Sequence, residues 1–401
     1  MRTRFTWIVA ILVLVTIGFF VACSTTYSPS NNGLVVVPTQ GSAVMQSFSI
    51  NLANGQLSQI NNVNGPPTPG LPTSVVLDRA GSFAFVIVQQ NASLPGSVNG
   101  ITAYQVATDG KLSTVATTPV TNPVAMAIDS AGKFLFVASG SLGTVSVFSI
   151  GSNGSLSAVG KPTALPVQPG GTAPNAAALT VTPTVYPVQF AYCSGFMPPT
   201  TENLYVADAV NYVLLNYSVS SSGSLTLVPT PSTTGVATGT VPSGVAVDPC
   251  NRFVYVSNAS PNNSVSAYRI CYAASLARNC PSADFSLQTV TGSPFAAGDD
   301  PGPLAVDPFG NFLYVVDVGS SQISGYRISA ATGTLTAFSG ASTSTNSGPN
   351  SIAIRSDDTW LFVANINSAN LSQYAITPAS GALTPQPPTS TFNYPSGVAV
   401  K

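Results

Sequence analysis

One phrase recurs seven times in this chain: a proline, a short apolar run, and in most copies an aspartate. It reads TSVVLD after Pro72, VAMAID after Pro123, NAAALT after Pro174 and SGVAVD after Pro242. The remaining copies are GPLAVD after Pro301, NSIAIR after Pro349 and SGVAVK after Pro395. These prolines lie 51, 51, 68, 59, 48 and 46 residues apart. A period near fifty with several strands per unit is the mark of a β-propeller, in which each repeat is one blade that cannot bury its faces alone.

Each unit carries the same four strands. The proline phrase is strand A, and an aromatic-valine strand B follows a turn, as in the runs starting at Phe83, Phe134, Phe253, Phe312 and Trp360. Strand C alternates, with VSVFSI at 145–150, VSAYRI at 265–270 and ISGYRI at 323–328. A Gly-x-Leu turn then leads into a short strand D, as at Gly110, Gly154, Gly223, Gly333 and Gly381. The period of two and the turn residues mark strands throughout. The expected class is all-β, a seven-bladed propeller of four-stranded antiparallel blades. The stretch from Leu34 matches strand B and runs on through C and D, whereas the chain ends on a lone strand A after Pro395. One inner strand from the C-terminus and three from the N-terminus therefore complete a seventh blade, which removes a free sheet edge.

Charge is scarce: 6% of residues are Asp, Glu, Lys or Arg and the net charge is -1, against roughly 25% charged in an ordinary domain. Nothing here grips nucleic acid electrostatically. Arg2 and Arg4 precede an apolar stretch from Trp7 to Ala22, the pattern of an export signal. The sequence Phe20-Val21-Ala22-Cys23 is similar to a bacterial lipobox, which would make Cys23 the lipidated mature N-terminus. An uncleaved anchor and ordinary signal cleavage are the alternatives. The expected division is a signal over 1–23, a tether over 24–32 and the propeller over 33–401, as an exported monomer lipid-anchored to the cell envelope. The four remaining cysteines, Cys193, Cys250, Cys271 and Cys280, allow three pairings into two disulfides in an oxidising compartment. Cys271 and Cys280 bracket a short loop and pair most naturally, leaving Cys193 with Cys250. Zinc is disfavoured, because the chain has no histidine.

The aspartates that end strand A, Asp78, Asp129, Asp248 and Asp307, invite a reading as a catalytic ring. Each is followed at the third position by Gly or Asn, so a β-turn capped by the carboxylate is the stronger reading. Thr180 and Arg355 are assigned to the equivalent place in two other units. The opposite face, built from B-to-C and D-to-A loops, is where function is expected. It holds Asp208 and Asp317, with Asn258 and Asn365 at equivalent positions, and the acidic loop Asp299–Asp300. Lys161 is the one clear cation assigned to it, while Glu202, the sole glutamate, is assigned to an inserted A-to-B segment. Asp208 or Asp317 would be the carboxylate of any acid–base chemistry. Asp299, Asp300 and Asp317 could together hold Ca²⁺ through hard oxygen ligands. The chain contains no GxSxG elbow, phosphate-binding glycine loop or CxxC pair.

The repeated Pro-x-x-(V/I/L)-A-(V/I)-D-x-x-G-x-F-L-Y-V pattern, with VSxYxI and GxLT after it, resembles the lactonase family of seven-bladed propellers over roughly residues 33–401. That family includes 6-phosphogluconolactonase and carboxy-muconate lactonising types, which implies an anionic lactone or acid as substrate and cations near the central channel. With so few cations on the loop face, the residues favour a module that binds a small ligand or an envelope protein. An extracytoplasmic lactone hydrolase is the alternative.

Overall fold

The computed structural model describes residues 32–60, 65–182, 201–229, 235–272, 280 and 284–401. The expected signal, Cys23 and Cys193 lie outside these residues. The described strands form seven antiparallel sheets, each running from an inner strand A to an outer strand D. Blade one consists of Asn32–Thr39, Val44–Asn51 and Leu57–Gln59, closed on its inner side by Ala399–Val400. Val35 pairs with Val400 and Val36 with Ala399, so the two ends of the propeller share one sheet, as the sequence predicts. Strand B of this blade begins at Asn32, one residue earlier than the expected boundary.

The inner strands of blades two to seven are Leu71–Leu77, Pro123–Ile128, Ala176–Val181, Pro242–Val247, Pro301–Val306 and Pro349–Ile354. Each touches the inner strand of the next blade, and together with Ala399–Val400 they close the ring. In blades three, four and five the outer strand is broken into two short pieces that both pair with strand C, such as Leu156–Ala158 and Thr163–Ala164. Lys161 sits in that break, on the outer edge of blade three, and not on the loop face.

The proline phrase has a specific mechanical use. A bulge follows each of the inner-strand prolines Pro72, Pro123, Pro242, Pro301 and Pro349, displacing the ladder there. The carbonyl at this point faces the preceding blade, which donates a side-chain hydrogen bond to it in four places. Ser396 bonds Pro72 O at 2.6 Å, Gln89 bonds Pro123 O at 3.0 Å, Ser243 bonds Pro301 O at 2.6 Å and Asn350 bonds Pro395 O at 3.3 Å. In blade four the register corrects the sequence reading. Ala176 pairs with Asp208 as Pro242 pairs with Asn258, so Ala176 and not Pro174 occupies the proline position. Thr182, two residues beyond Thr180, therefore stands where the other blades have aspartate, and its hydroxyl accepts from Asn203 N at 3.0 Å.

Two further motifs are staples between blades. The glycine of four Gly-x-Leu turns rests against the first B-strand aromatic of the blade before it, Gly154 on Phe83, Gly223 on Phe134, Gly333 on Phe253 and Gly381 on Phe312, whereas Gly110 rests on Ile60 and Leu34. A Cβ on Gly333, whose φ is +78°, would lie 2.4 Å from the Phe253 ring. The tyrosine of VSxYxI donates its hydroxyl backward to the preceding blade: Tyr104 to Pro67 O, Tyr268 to Ala237 O, Tyr326 to Ala296 O and Tyr374 to Ser344 O. Tyr255 and Tyr314 of strand B bond forward, to Gly333 O and Gly381 O. Between these staples the B and C strands bury their valines, leucines and aromatics in clusters shared by neighbouring sheets, such as Phe136, Val206 and Leu215. Each fully buried side chain of this kind contributes roughly 1.5–3 kcal/mol.

Candidate functional site

The two faces of the ring have different chemistry. On the face of A-to-B turns, Asp78, Asp129 and Asp307 each accept two backbone N–H bonds of 2.6–2.7 Å from residues four and five further on. The N–H of Gly81, Gly132, Asn251 and Gly310 closes each turn on the carbonyl of its aspartate, at 2.8–3.0 Å. These carboxylates cap turns, as expected, and form no catalytic ring. Asp248 also holds the buried Arg252, with Nη2 to Oδ1 at 2.8 Å. Glu202 is the first residue of a B strand, not part of the insert, and its Oε1 accepts from Ser130 N of the neighbouring blade. Cys271 and Cys280 form a disulfide across this face, with Cα atoms 5.5 Å apart. Cys250 is also disulfide-bonded.

The opposite face collects the large exposed apolar side chains of the described residues. Val98, Leu142, Val210 and Tyr212 lie on B-to-C loops, while Val167, Val241 and Tyr394 lie on D-to-A loops. Among the described residues these are the large hydrophobics that solvent reaches most, and all seven are on this one face. Around the axis, the residue before the phrase proline adopts positive φ in five blades: Asn122, Val241, Asp300, Gly348 and Tyr394, at +48° to +72°. Its carbonyl accepts an N–H from the residue just past strand B, in Gly140, Ala259, Val318, Ile366 and Gln40 respectively. That bond holds the backbone in a region which proline's neighbour rarely visits. Asn, Val, Asp, Gly and Tyr at this one position make the mouth asymmetric. Sequence reading missed this ring, although its signal, variation immediately before a recurring proline, was present.

The carboxylates expected at the site are set into the fold to different degrees. Asp208 is buried, and its Oδ1 accepts from Asn175 N, Val210 N and Asn211 N at 3.0–3.2 Å, with Oδ2 taking Asn211 Nδ2 at 2.7 Å. It is a loop clamp. Asn258 does the same work, accepting from Gly239 N at 3.0 Å and donating to Ser266 Oγ at 3.0 Å. Asp317 accepts from Gly298 N at 3.1 Å and from Ser324 Oγ at 2.6 Å. Burial, reinforced by the nearby Asp299 charge, pushes its carboxyl up to about 6 against the pull of those two bonds. Gly298 lies directly over it: a Cβ there would come 2.3 Å from Oδ2. Asp299, exposed at the mouth, accepts from Asn263 Nδ2 at 3.1 Å, and Asp300 accepts from Ser260 N at 3.4 Å. Asp299 and Asp300 share one D-to-A loop and Asp317 ends the neighbouring B strand, yet each has a protein partner. Among the described residues, no three acidic, Cys or His groups gather as a metal-holding set.

This arrangement, a closed ring of repeated blades with a weakly charged, apolar loop face, defines a seven-bladed propeller. The chain belongs to the family described as "Lactonase, 7-bladed beta-propeller", whose profile matches residues 25–178 and 283–401. The unmatched stretch between them carries Cys193, Cys250, Cys271 and Cys280. No curated protein sequence matches the chain. Among solved structures it is similar to a protein assigned as a 6-phosphogluconolactonase from Bacteroides fragilis, with 18% identity over 93% of this chain and 99% of that one, at a TM-score of 0.71. A second so assigned, from Bacteroides uniformis, shares 16% identity over 92% and 100% at a TM-score of 0.72. The periplasmic gluconolactonase of Pseudomonas aeruginosa shares 19% identity over 92% and 99%, at a TM-score of 0.69. At such identities these structures establish the shared fold.

Proposed function

We propose that the protein is an exported, envelope-anchored lactone hydrolase that takes an uncharged lactone on its loop face, with Asp317 as general base. Family membership supports lactone chemistry, and a periplasmic gluconolactonase among the structural neighbours supports both an unphosphorylated substrate and an extracytoplasmic site. The observation that carries the choice of residue is the contrast between the two buried loop-face aspartates. Asp208 has its oxygens taken by four donors, whereas Asp317 is held by two and has its carboxyl raised to about 6. A carboxylate with that affinity for a proton is mostly ionised at neutral pH and is a better base than an ordinary aspartate. Lifting the loop at Gly298 frees Oδ1 to take a proton from water. That water adds to the lactone carbonyl, and as the ring C–O bond breaks the protonated Asp317 returns its proton to the departing ring oxygen, leaving a hydroxy acid. A phosphorylated substrate would meet Asp299 and Asp300 with no described cation beside them.

The test is hydrolysis of glucono-1,5-lactone and its 6-phosphate by protein lacking residues 1–23. Turnover of the uncharged lactone is expected to rise through about pH 6 and to fall on the order of 10²-fold or more in Asp317→Asn. Absence of turnover, or preference for the phosphate, overturns the proposal. In that event the seven exposed apolar side chains favour the second reading, a module that binds an uncharged ligand or an envelope partner without reaction.

A further inference from the structure

We infer that the seam between blades two and three is a binding site for an uncharged, hydroxyl-rich ligand of single-sugar size. This goes beyond the lactonase reading and does not depend on it. Every residue from 65 to 182 is described, so both walls of the seam are visible. Between them lies a cleft of 270 Å³, bounded by the end of strand D of blade two and by strand C of blade three. Such a volume lies just under the roughly 300–1,000 Å³ of ordinary small-molecule sites.

The cleft arises from two departures from the repeat. In blades five to seven the residue ending strand B is Asn258, Asp317 or Asn365, and each bonds a strand C serine, Ser266, Ser324 or Ser372. In blade three the equivalent residue is Ser139, too short to make that bond to Ser146. Two residues on, the staple tyrosine that reaches the preceding blade is replaced by Phe148, which carries no hydroxyl. The break in the outer strand leaves the gap open. Blade one also has phenylalanine at this position, Phe48, but there Gln46 fills the seam by accepting from Phe392 N at 2.8 Å.

What remains is suited to a sugar ring. Thr121, Ser139, Thr144 and Ser146 line the cleft with hydroxyls that no described neighbour engages, while Phe148 and Leu142, the latter 53% exposed, supply an apolar wall. Hydroxyls on one side and carbon on the other match the two faces of a pyranose. No charged side chain lines the space itself, while Lys161 sits between two of its lining residues, Gly160 and Pro162, in the break of the outer strand, so gluconate is the control that separates hydroxyl recognition from attraction to that cation.

The experiment is titration of the protein with neutral methyl glucoside, galactoside and mannoside, read by calorimetry or ligand-observed NMR, with gluconate as the charged control. Saturable binding of at least one hexoside, tighter than that of gluconate, is expected. Ser146→Leu fills the cleft with a side chain the fold accepts at this position in blade four, Leu215, and is expected to weaken binding at least about tenfold. Phe148→Tyr restores the repeat's staple and is expected to weaken it similarly, which keeps the test decisive if the first variant folds poorly. Absence of saturable binding overturns the inference. So does affinity unchanged in either folded variant, or gluconate binding as tightly as the hexosides.

Discussion

Replacing Asp358 by glycine should stabilise the protein, and more so at alkaline pH. The fourth residue of the A-to-B turn is Gly81, Gly132 and Gly310 in blades two, three and six, but Asp358 in blade seven, where φ is +59°. Its side chain is 1% exposed, its Oδ1 has no partner, and it lies in the field of Asp307. Burial, with that neighbouring charge, pushes the Asp358 carboxyl from 3.8 up to about 7. A raised carboxyl means that the folded state holds an extra proton between pH 3.8 and about 7. Stability is therefore lost as pH rises through that window, and the penalty is complete above it. A shift of about three units corresponds to ~4 kcal/mol as a ceiling, at 1.36 kcal/mol per unit, and local relaxation with water penetration around the buried charge brings this to about 1–2 kcal/mol. Relief of the left-handed backbone adds about 1 kcal/mol, offset by the similar entropy cost of a glycine in the unfolded chain. The expected result is a melting point raised by roughly 1–3 °C near pH 8 and almost unchanged near pH 4. An equal effect at both pH values, or a lower melting point near pH 8, would refute the electrostatic reasoning.

Gly333→Ala should destabilise by about 2 kcal/mol, since its Cβ meets the Phe253 ring at 2.4 Å and the backbone there is left-handed; calorimetry checks this. Converting Cys271 and Cys280 to serine should cost about 2.7 kcal/mol, the closure entropy of a loop with a sequence separation of 9, seen as a lower denaturation midpoint. Asp208→Ala should cost about 3 kcal/mol by leaving buried N–H groups unpaired. It should also speed hydrogen exchange at Asn175, Val210 and Asn211, and unchanged exchange would deny its role as a clamp.

The repeat made the architecture legible because the residues that punctuate a blade are few and local. Pro at the bulge, Asp before a turn and Gly against an aromatic each satisfy a backbone or steric demand that any blade must meet. Chain closure followed by counting strands. The fourth blade misled that reading, since Pro174 lies two residues before the place its copies occupy. Only the pairing of Ala176 with Asp208 reveals the shift. Lys161 was misplaced because a break in strand D has no fixed sequence signal.

The site was less legible for a related reason. Asp208 and Asp317 occupy one position in the repeat, and nothing local separates a fully bonded clamp from a carboxylate raised by burial and Asp299. That difference comes from what neighbouring loops donate. The apolar face likewise needs seven residues from six loops to be seen together, and the seam at Ser139 and Phe148 exists only where one blade meets another. The recurring proline phrase alone determined the strands, their number per blade and the closure of the ring, because backbone geometry and packing repeat with the sequence. Charge, exposure and empty space belong to pairs of blades, and only their assembly in three dimensions decided them.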